Sequence, residues 1–198
     1  MSFQVRTLSI YSHDERRRDV QFALGALNIV TGRSETGKSS LLRIIAYCLG
    51  SSSYRIQVDV INASCSWFGV LFVKGEKTVF VARPRLPDGQ KSHSSCCLLH
   101  GVSEPPDYAE LLPNTNLDGV VDALTSFAGI ADVETAPEEG RTTDPIRPNI
   151  KHARDLLLQP QGLLASDTQL LYGTDDYFEK LHLRDCLPYF MGIVGEEF

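Results

Sequence analysis

The stretch from Thr31 to Ser40, TGRSETGKSS, constrains this chain more than any other part of its sequence. Gly32, four further residues and then Gly37, Lys38 and Ser39 fit the pattern G-x-x-x-x-G-K-[ST]. Glycines allow positive φ angles, so successive backbone N–H groups can converge on one anion. The pattern therefore predicts a loop that binds the phosphates of a nucleotide.

The residues on either side of the loop predict the strand and the helix that an anion-binding loop of this pattern requires. Residues 27–30 form a short apolar run, which predicts a strand buried on both faces of a sheet. Apolar residues at helical spacing between Leu41 and Leu49 predict a helix that ends at Gly50. A strand, a glycine-rich loop and a helix whose positive end points at the loop together favour anion binding.

Two side chains of the loop have specific predicted roles. Lys38 would reach the β- and γ-phosphates, and the Ser39 hydroxyl would bind Mg²⁺. The alternative is a glycine turn before an ordinary capped helix, with Lys38 in solvent. The predicted phosphate-contacting residues are Gly32, Arg33, Ser34, Glu35, Thr36, Gly37, Lys38, Ser39 and Ser40.

The rest of the chain predicts a mixed α/β protein. Alternation indicates a hairpin of 3–11 and 20–24, a further strand at 58–61, and a meander of 65–73 and 78–82. The loss of periodicity and the prolines and glycine at 84, 87, 89, 105, 106 and 113 predict an exposed, irregular insertion at about 83–116. Helices are predicted from Asn116 or Asp118 to Phe127 and from Asp175 to Phe190, where Pro188 should kink or end the helix. Residues 150–158 are helical or extended, and QPQG at 159–162 interrupts them.

Composition sets the outer limits. The 198 residues, 42% of them hydrophobic, can bury a core and most simply form one domain, two at most. The formal net charge of −6 does not indicate a nucleic-acid binder. Five irregularly spaced cysteines predict reduced thiols in a cytoplasmic protein, and the apolar runs are too short to span a membrane.

The order of hairpin, ALNIVTG, loop, LLRIIAYCLG and second meander resembles the N-terminal lobe of ABC-type head ATPases of the SMC, RecF, RecN and SbcC group. The resemblance is strongest over Leu27–Ser53 and implies a P-loop NTPase fold, with an antiparallel meander packed on a P-loop strand-helix core. These heads usually show G-x-N-G-x-G-K-S, whereas this chain has Ser34 and Glu35 at the matching positions. Glu35 would repel a triphosphate unless it points away.

LLLQPQGLLA, residues 156–165, resembles the Q-loop of the same heads. In that family the glutamine binds Mg²⁺ and positions the attacking water, a role that the resemblance assigns to Gln161, which precedes Gly162. Gln159 is the alternative. A neutral amide suits this role because its carbonyl can bind the metal while its NH₂ orients water. The run DDYFEKLHLRDCLPYFMGIVG resembles a bacterial subgroup of such heads and suggests DNA repair or anti-phage defence.

The sequence contains no LSGG segment and no Walker B strand; GVVDALTS at 119–126 reads as a helix instead. In SMC-like proteins those elements lie in a second lobe beyond a coiled coil. Residues 1–198 would then be the N-terminal half of a head that binds ATP and Mg²⁺ but hydrolyses ATP poorly alone. The resemblance implies three kinds of partner: its own C-terminal lobe, a second head (most simply another copy), and DNA or a nuclease effector.

Other functions and sites fit the sequence less well. A transporter-type ABC domain should carry LSGG within this length, and a GTPase or small kinase should show N-K-x-D or an arginine-rich lid. Arg16, Arg17 and Arg18 could contact a DNA backbone, but Asp14, Glu15 and Asp19 flank them and favour a solvated turn. His93, Cys96, Cys97 and His100 lack zinc-site spacing, Asp175 and Asp176 suit a helix start, and Cys48 and Cys186 suit a core.

Overall fold

The computed structural model describes residues 2–33, 36–52, 54, 56, 63–86, 94–134, 146–159, 161–164 and 177–193. The chain divides into two compact units, Met1–Phe127 and Ala128–Phe198. The predicted strand at 58–61, the residues Ser34, Glu35 and His93, and the pair Asp175 and Asp176 lie outside the described residues.

The first unit is built on a five-stranded antiparallel sheet with the order β2-β1-β3-β4-β5. The strands are β1 (Phe3–Ser12), β2 (Arg17–Gln21), β3 (Cys65–Lys74), β4 (Lys77–Pro84) and β5 (Cys97–His100). The hairpin and the meander predicted from alternation are confirmed, although β2 begins and ends about three residues earlier than its apolar pattern indicates. The α/β class with an antiparallel meander is therefore observed.

Strand β5 corrects the prediction of an irregular stretch at 83–116. It pairs with β4 from Ala82↔Cys97 to Val79↔His100. The side chain of Asn114 extends this edge, because it accepts from the Leu98 N–H and donates to the Leu98 carbonyl, each at 2.9 Å. A short 3₁₀ helix, Tyr108–Glu110, lies between β5 and Asn114. The local sequence around β5 is rich in proline and does not indicate a strand. This four-residue strand forms because β4, which lies far away in the chain, supplies its hydrogen bonds.

Both faces of the sheet are covered. On one face Tyr11, Leu71, Phe80, Ala82 and Cys97 form a cluster with Leu111 from the segment after β5. On the other face helix α1 (Lys38–Cys48) packs against β3 and β4, with the Tyr47 and Phe68 rings 6.5 Å apart. The predicted helix before Gly50 is thereby confirmed, and its buried residues include Ile44, Ile45 and Cys48.

Helix α2 (Leu117–Ala128) confirms the helix predicted from Asn116 or Asp118, including the helical reading of GVVDALTS. The Asn116 side chain accepts from the Gly119 N–H at 2.8 Å, which satisfies one of the free N–H groups of the first turn. Val120, Val121 and Leu124 are buried, as the apolar spacing predicts. At the end of the helix the Phe127 ring lies edge-on to Phe3, 5.9 Å away.

The segment Leu27–Val30, predicted as a buried strand, is not a strand and is not buried. Leu27 is 86% exposed, Ile29 75% and Val30 48%. Asn28 ties the segment into a loop, because its side chain accepts from the Ala23 N–H at 2.8 Å and donates to the Ala23 carbonyl at 2.9 Å. An apolar run forms a strand only where another strand supplies its hydrogen bonds, and none of the described strands pairs with this one.

The second unit contains three described helices: α3 (Ile150–Leu157), α4 (Gln161–Leu164) and α5 (Tyr177–Phe190). Asn149 caps α3 in a reciprocal pair with His152, whose Nδ1 accepts from the Asn149 N–H at 3.1 Å. Helix α5 continues two residues past Pro188, where the sequence predicted an end or a kink. After Pro188 the Met191 N–H donates to the Leu187 carbonyl and the Ile193 N–H donates to the Pro188 carbonyl. The backbone hydrogen bonds therefore continue beyond Pro188.

Candidate phosphate-binding loop

The start of α1 has the backbone conformation that the sequence pattern requires. Gly37 precedes the helix with φ 83° and ψ 10°, a left-handed conformation that favours glycine. Gly37 offers no side chain to cap the helix, and the Ser40 N–H bonds to the Gly37 carbonyl at 3.0 Å. The first turn of α1, at the positive end of the helix dipole, is therefore suited to an anion.

The Lys38 ammonium is partly exposed and donates hydrogen bonds to oxygens of the loop. Its Nζ donates to the Gly32 carbonyl at 2.8 Å, to the Arg33 carbonyl, and to Thr36 Oγ1 at 3.4 Å. Thr36 Oγ1 donates in turn to the Arg33 carbonyl at 2.8 Å. Three donors and three neutral oxygen acceptors match in number, so the ammonium is hydrogen-bonded while its charge is not neutralised by a carboxylate among these contacts.

Gly32 allows this close approach. A Cβ atom at Gly32 would lie 3.1 Å from Thr36 Oγ1 and 3.8 Å from Lys38 Cδ. A larger residue would therefore press on the two side chains that organise the loop. Gly32 is required because a larger side chain would not fit beside Thr36 and Lys38, and Gly37 is favoured because its φ angle is positive.

The remaining loop residues differ in exposure. Arg33, Thr36 and Ser39 are exposed, whereas Ser40 is only 2% exposed. The Ser39 hydroxyl is thus accessible at the first turn of α1, and a hydroxyl oxygen is a ligand that Mg²⁺ accepts. The Ser40 side chain is buried and is not part of the accessible surface of the loop.

A groove of about 500 Å³ lies beside this region. Its lining comes from β1, from the segment 22–28 and from α1, and includes Val5, Phe22, Asn28 and Ile45. None of its lining residues belongs to 32–40.

The two glutamines of the predicted Q-loop lie in the second unit. Gln161 is the first residue of α4 and is exposed. Gln159 donates through Nε2 to the Asp155 and Leu156 carbonyls, each at 2.8 Å, at the end of α3. Its Oε1 is buried and has no hydrogen-bond partner among the described residues. Each glutamine therefore carries a side-chain carbonyl that could take a metal or a water.

Two of the candidate arginines form ion pairs near the surface, and the cysteines are buried. Arg17 donates to the Pro105 carbonyl at 2.5 Å and pairs with Asp19 at 3.1 Å, and Arg16 pairs with Asp14 at 2.5 Å. These contacts favour the structural reading of the arginine triplet. All five cysteines are buried, and Cys48 and Cys186 lie in the core as predicted. Among the described residues, no His, Cys, Asp and Glu side chains form a group of three suited to a metal.

Comparison of the chain with protein-family models, with curated proteins and with solved structures finds no match in any of the three. None of the helices in the described ranges has the length and apolar character needed to cross a membrane. The fold and the loop together define an α/β protein with a five-stranded antiparallel sheet and a phosphate-loop pattern at the start of its first helix.

Proposed function

We propose that residues 32–40 bind the phosphates of ATP together with Mg²⁺. The observation that carries this proposal is the Lys38 ammonium hydrogen-bonded to the Gly32 and Arg33 carbonyls of the loop, at the positive end of α1. A phosphate entering the loop would exchange these neutral acceptors for negatively charged oxygens, so the ammonium would gain the attraction of an opposite charge in addition to its hydrogen bonds. Backbone N–H groups and the helix dipole add to the same attraction.

Each residue of the site has a distinct proposed task. Lys38 neutralises the β- and γ-phosphates, and Ser39 supplies an oxygen ligand to Mg²⁺. The resemblance to SMC-like heads gives Gln161, or else Gln159, the second metal contact and the orientation of the attacking water. When bound, Mg²⁺ would supply charge neutralisation of the phosphates.

In the wider function that we propose, the chain is the ATP-binding half of an SMC-like ATPase head. ATP would draw two heads together and hydrolysis would release them, so that the cycle acts on DNA or on a nuclease partner in DNA repair or anti-phage defence. Support comes from the sequence resemblance of the glycine-rich loop and of helix α1, which follows it. The strand that the resemblance implies at 27–30 is not formed and adds no support. Because residues 1–198 contain neither LSGG nor a Walker B strand, we expect ATP turnover close to background from this chain alone.

Substitution of Lys38 tests the phosphate site directly. Lys38→Ala removes the charge that faces the phosphates, and we expect the affinity for a fluorescent ATP analogue with Mg²⁺ to fall by at least about a hundredfold, as for loss of a charge-assisted contact. Lys77→Ala, at the exposed start of β4, is the matched control and should bind like the unchanged chain. Equal affinity of the Lys38 and Lys77 variants, both shown to be folded by circular dichroism, would refute the proposal.

A further inference from the structure

Arg83, near the end of β4, is fully buried, and it donates hydrogen bonds to carbonyls at the C-terminal end of α1 and just beyond it. Its Nη1 donates to the Tyr47 carbonyl at 2.6 Å and to the Ser51 carbonyl at 2.8 Å. The guanidinium carbon lies 3.7 Å from the centre of the Tyr47 ring. Carbonyls at a helix C-terminus carry partial negative charge, so a cation here stabilises the last turn of α1.

A second hydrogen bond joins β4 and α1, and in this one α1 supplies the donor. The Tyr47 hydroxyl donates to the Pro84 carbonyl at 3.0 Å. We call Arg83, Pro84 and Tyr47, with these hydrogen bonds, the β4–α1 contact. Burial raises the pKa of Tyr47 to about 12, so its hydroxyl stays protonated and able to donate through the neutral range. The contact therefore fixes both the position and the rotation of the end of α1 against the sheet.

Helix α1 is short and its two ends are unequal. With a rise of about 1.5 Å per residue, its 11 residues span about 16 Å. The C-terminal end is held by the β4–α1 contact and by Cys48, whose Sγ lies 3.5 Å from the Phe68 carbonyl. The N-terminal end begins at Gly37, which offers no capping side chain. A rigid helix held at one end transmits a change of angle there to the other end.

We propose that Arg83 is a positioning residue for the phosphate-binding loop, acting through α1. This inference rests on the proposed function, because it concerns the same loop. The bonds of Arg83 to the Tyr47 and Ser51 carbonyls set the angle of α1 on the sheet, and that angle directs the Gly37, Lys38 and Ser39 N–H groups. Hydrogen bonds weaken steeply when donor and acceptor are misaligned, so loss of this alignment should lower the affinity of the loop for the nucleotide phosphates.

The experiment compares two arginines that both donate to main-chain carbonyls of the first unit. Arg83→Gln removes the β4–α1 hydrogen bonds, whereas Arg17→Gln removes bonds to the Pro105 and Pro106 carbonyls, which lie outside α1. Melting temperature and affinity for Mg²⁺-ATP are measured for both, with affinity determined well below melting. We expect both variants to melt earlier and only Arg83→Gln to lose affinity, by about tenfold or more.

Two milder variants keep the test decisive if Arg83→Gln does not fold. Arg83→Lys keeps a charge but lacks the planar fork, so affinity should fall less than for glutamine. Tyr47→Phe removes only the hydroxyl bond to Pro84 and should give a smaller loss of affinity in a folded protein. Affinities equal to that of the unchanged chain in both folded variants would overturn the inference. If the unchanged chain itself binds no nucleotide, the proposed function falls first, and the inference with it.

Discussion

Gly69 in β3 has no Cβ atom, and this allows the Phe80 ring of β4 to pack directly against the backbone of β3. It pairs with Ala82 across the β3–β4 ladder, and the Phe80 ring lies over it. A Cβ atom at Gly69 would lie 2.4 Å from Phe80 Cζ, which is closer than real contacts allow. Because Phe80 is fully buried in the cluster with Leu71 and Tyr11, its ring has no free space to move into.

We therefore expect Gly69→Ala to lower the free energy of unfolding by about 1 to 3 kcal/mol, the usual cost of overpacking. Urea denaturation followed by Trp67 fluorescence measures it. The double variant Gly69→Ala, Phe80→Leu should cost less than the sum of the two single changes, because leucine leaves the space that the added methyl group needs. Additive costs would show that the Phe80 ring is not what limits Gly69.

Some features of the loop could be predicted from the sequence pattern, and others could not. The pattern G-x-x-x-x-G-K-[ST] predicts a positive φ angle at Gly37, which is observed. The contact of Lys38 with phosphates stays a prediction. The pattern does not contain the bonds from Lys38 to the Gly32 and Arg33 carbonyls, because these depend on the folded path of the loop. Arg83 carries no sequence signal for a role beside α1, since the two are brought together only by the sheet.

Among the elements, Leu27–Val30 was predicted to be a buried strand and is an exposed loop in the structure, and substitutions in it can distinguish the two states. If the segment is a buried strand, Leu27→Ala and Ile29→Ala should each cost about 2 to 5 kcal/mol. In the structure the two side chains are largely exposed, so we expect each change to alter the free energy of unfolding by no more than about 0.5 kcal/mol.

Leu71→Ala is the matched control for that measurement, because Leu71 is fully buried in β3. Its cost should fall in the range for a core leucine, about 2 to 5 kcal/mol. If the changes at Leu27 or Ile29 approach the cost at Leu71, the segment is buried in solution and the exposed loop is wrong.

Helix α3 has a cap that depends on protonation. Burial, helped by the nearby His182, lowers the pKa of His152 to about 4 from the usual 6.5. Neutral His152 accepts the Asn149 N–H through Nδ1, which an imidazolium cannot do. The unfolded chain takes up this proton near pH 6.5 and the folded chain only near pH 4. Stability should therefore fall as the pH drops between these values, by up to about 3 kcal/mol, and level off below.

NMR titration of the imidazole signals measures this directly. We expect the pKa of His152 to lie near 4. In His152→Gln the amide oxygen can still accept the Asn149 N–H without titrating, so the stability loss between pH 6.5 and pH 4 should shrink. A His152 pKa close to 6.5 in the folded chain would contradict the buried cap.

Most elements followed from local pattern, and the exceptions share one physical cause. Helices α1 and α2 and strands β1, β3 and β4 are long and periodic, so each specifies its own buried side. Strand β5 is only four residues long, and Leu27–Val30 is apolar without a partner among the described strands, so their states depend on residues far away in the chain. The glycine pattern therefore predicted the backbone conformation of Gly37 before α1 correctly, whereas the apolar run at 27–30 was wrongly predicted to be a strand.

At the scale of the whole molecule, an antiparallel sheet supports a proposed nucleotide site at one end of α1. The sheet positions α1 through β3 and β4, and α1 presents Gly37, Lys38 and Ser39 at its N-terminal end. The head-ATPase function that we propose requires that site and further requires partners. The site itself can be tested on this chain alone, so its test comes first.

The most direct measurement is an NMR titration of the ¹⁵N-labelled chain with ATP and Mg²⁺, following the backbone amides. We predict saturable shifts at the amides of Gly32, Gly37, Lys38, Ser39 and Ser40, with little change at β3 and β4, and no such shifts in Lys38→Ala. Unchanged loop amides at millimolar nucleotide, or shifts that persist equally in Lys38→Ala, would contradict the phosphate site.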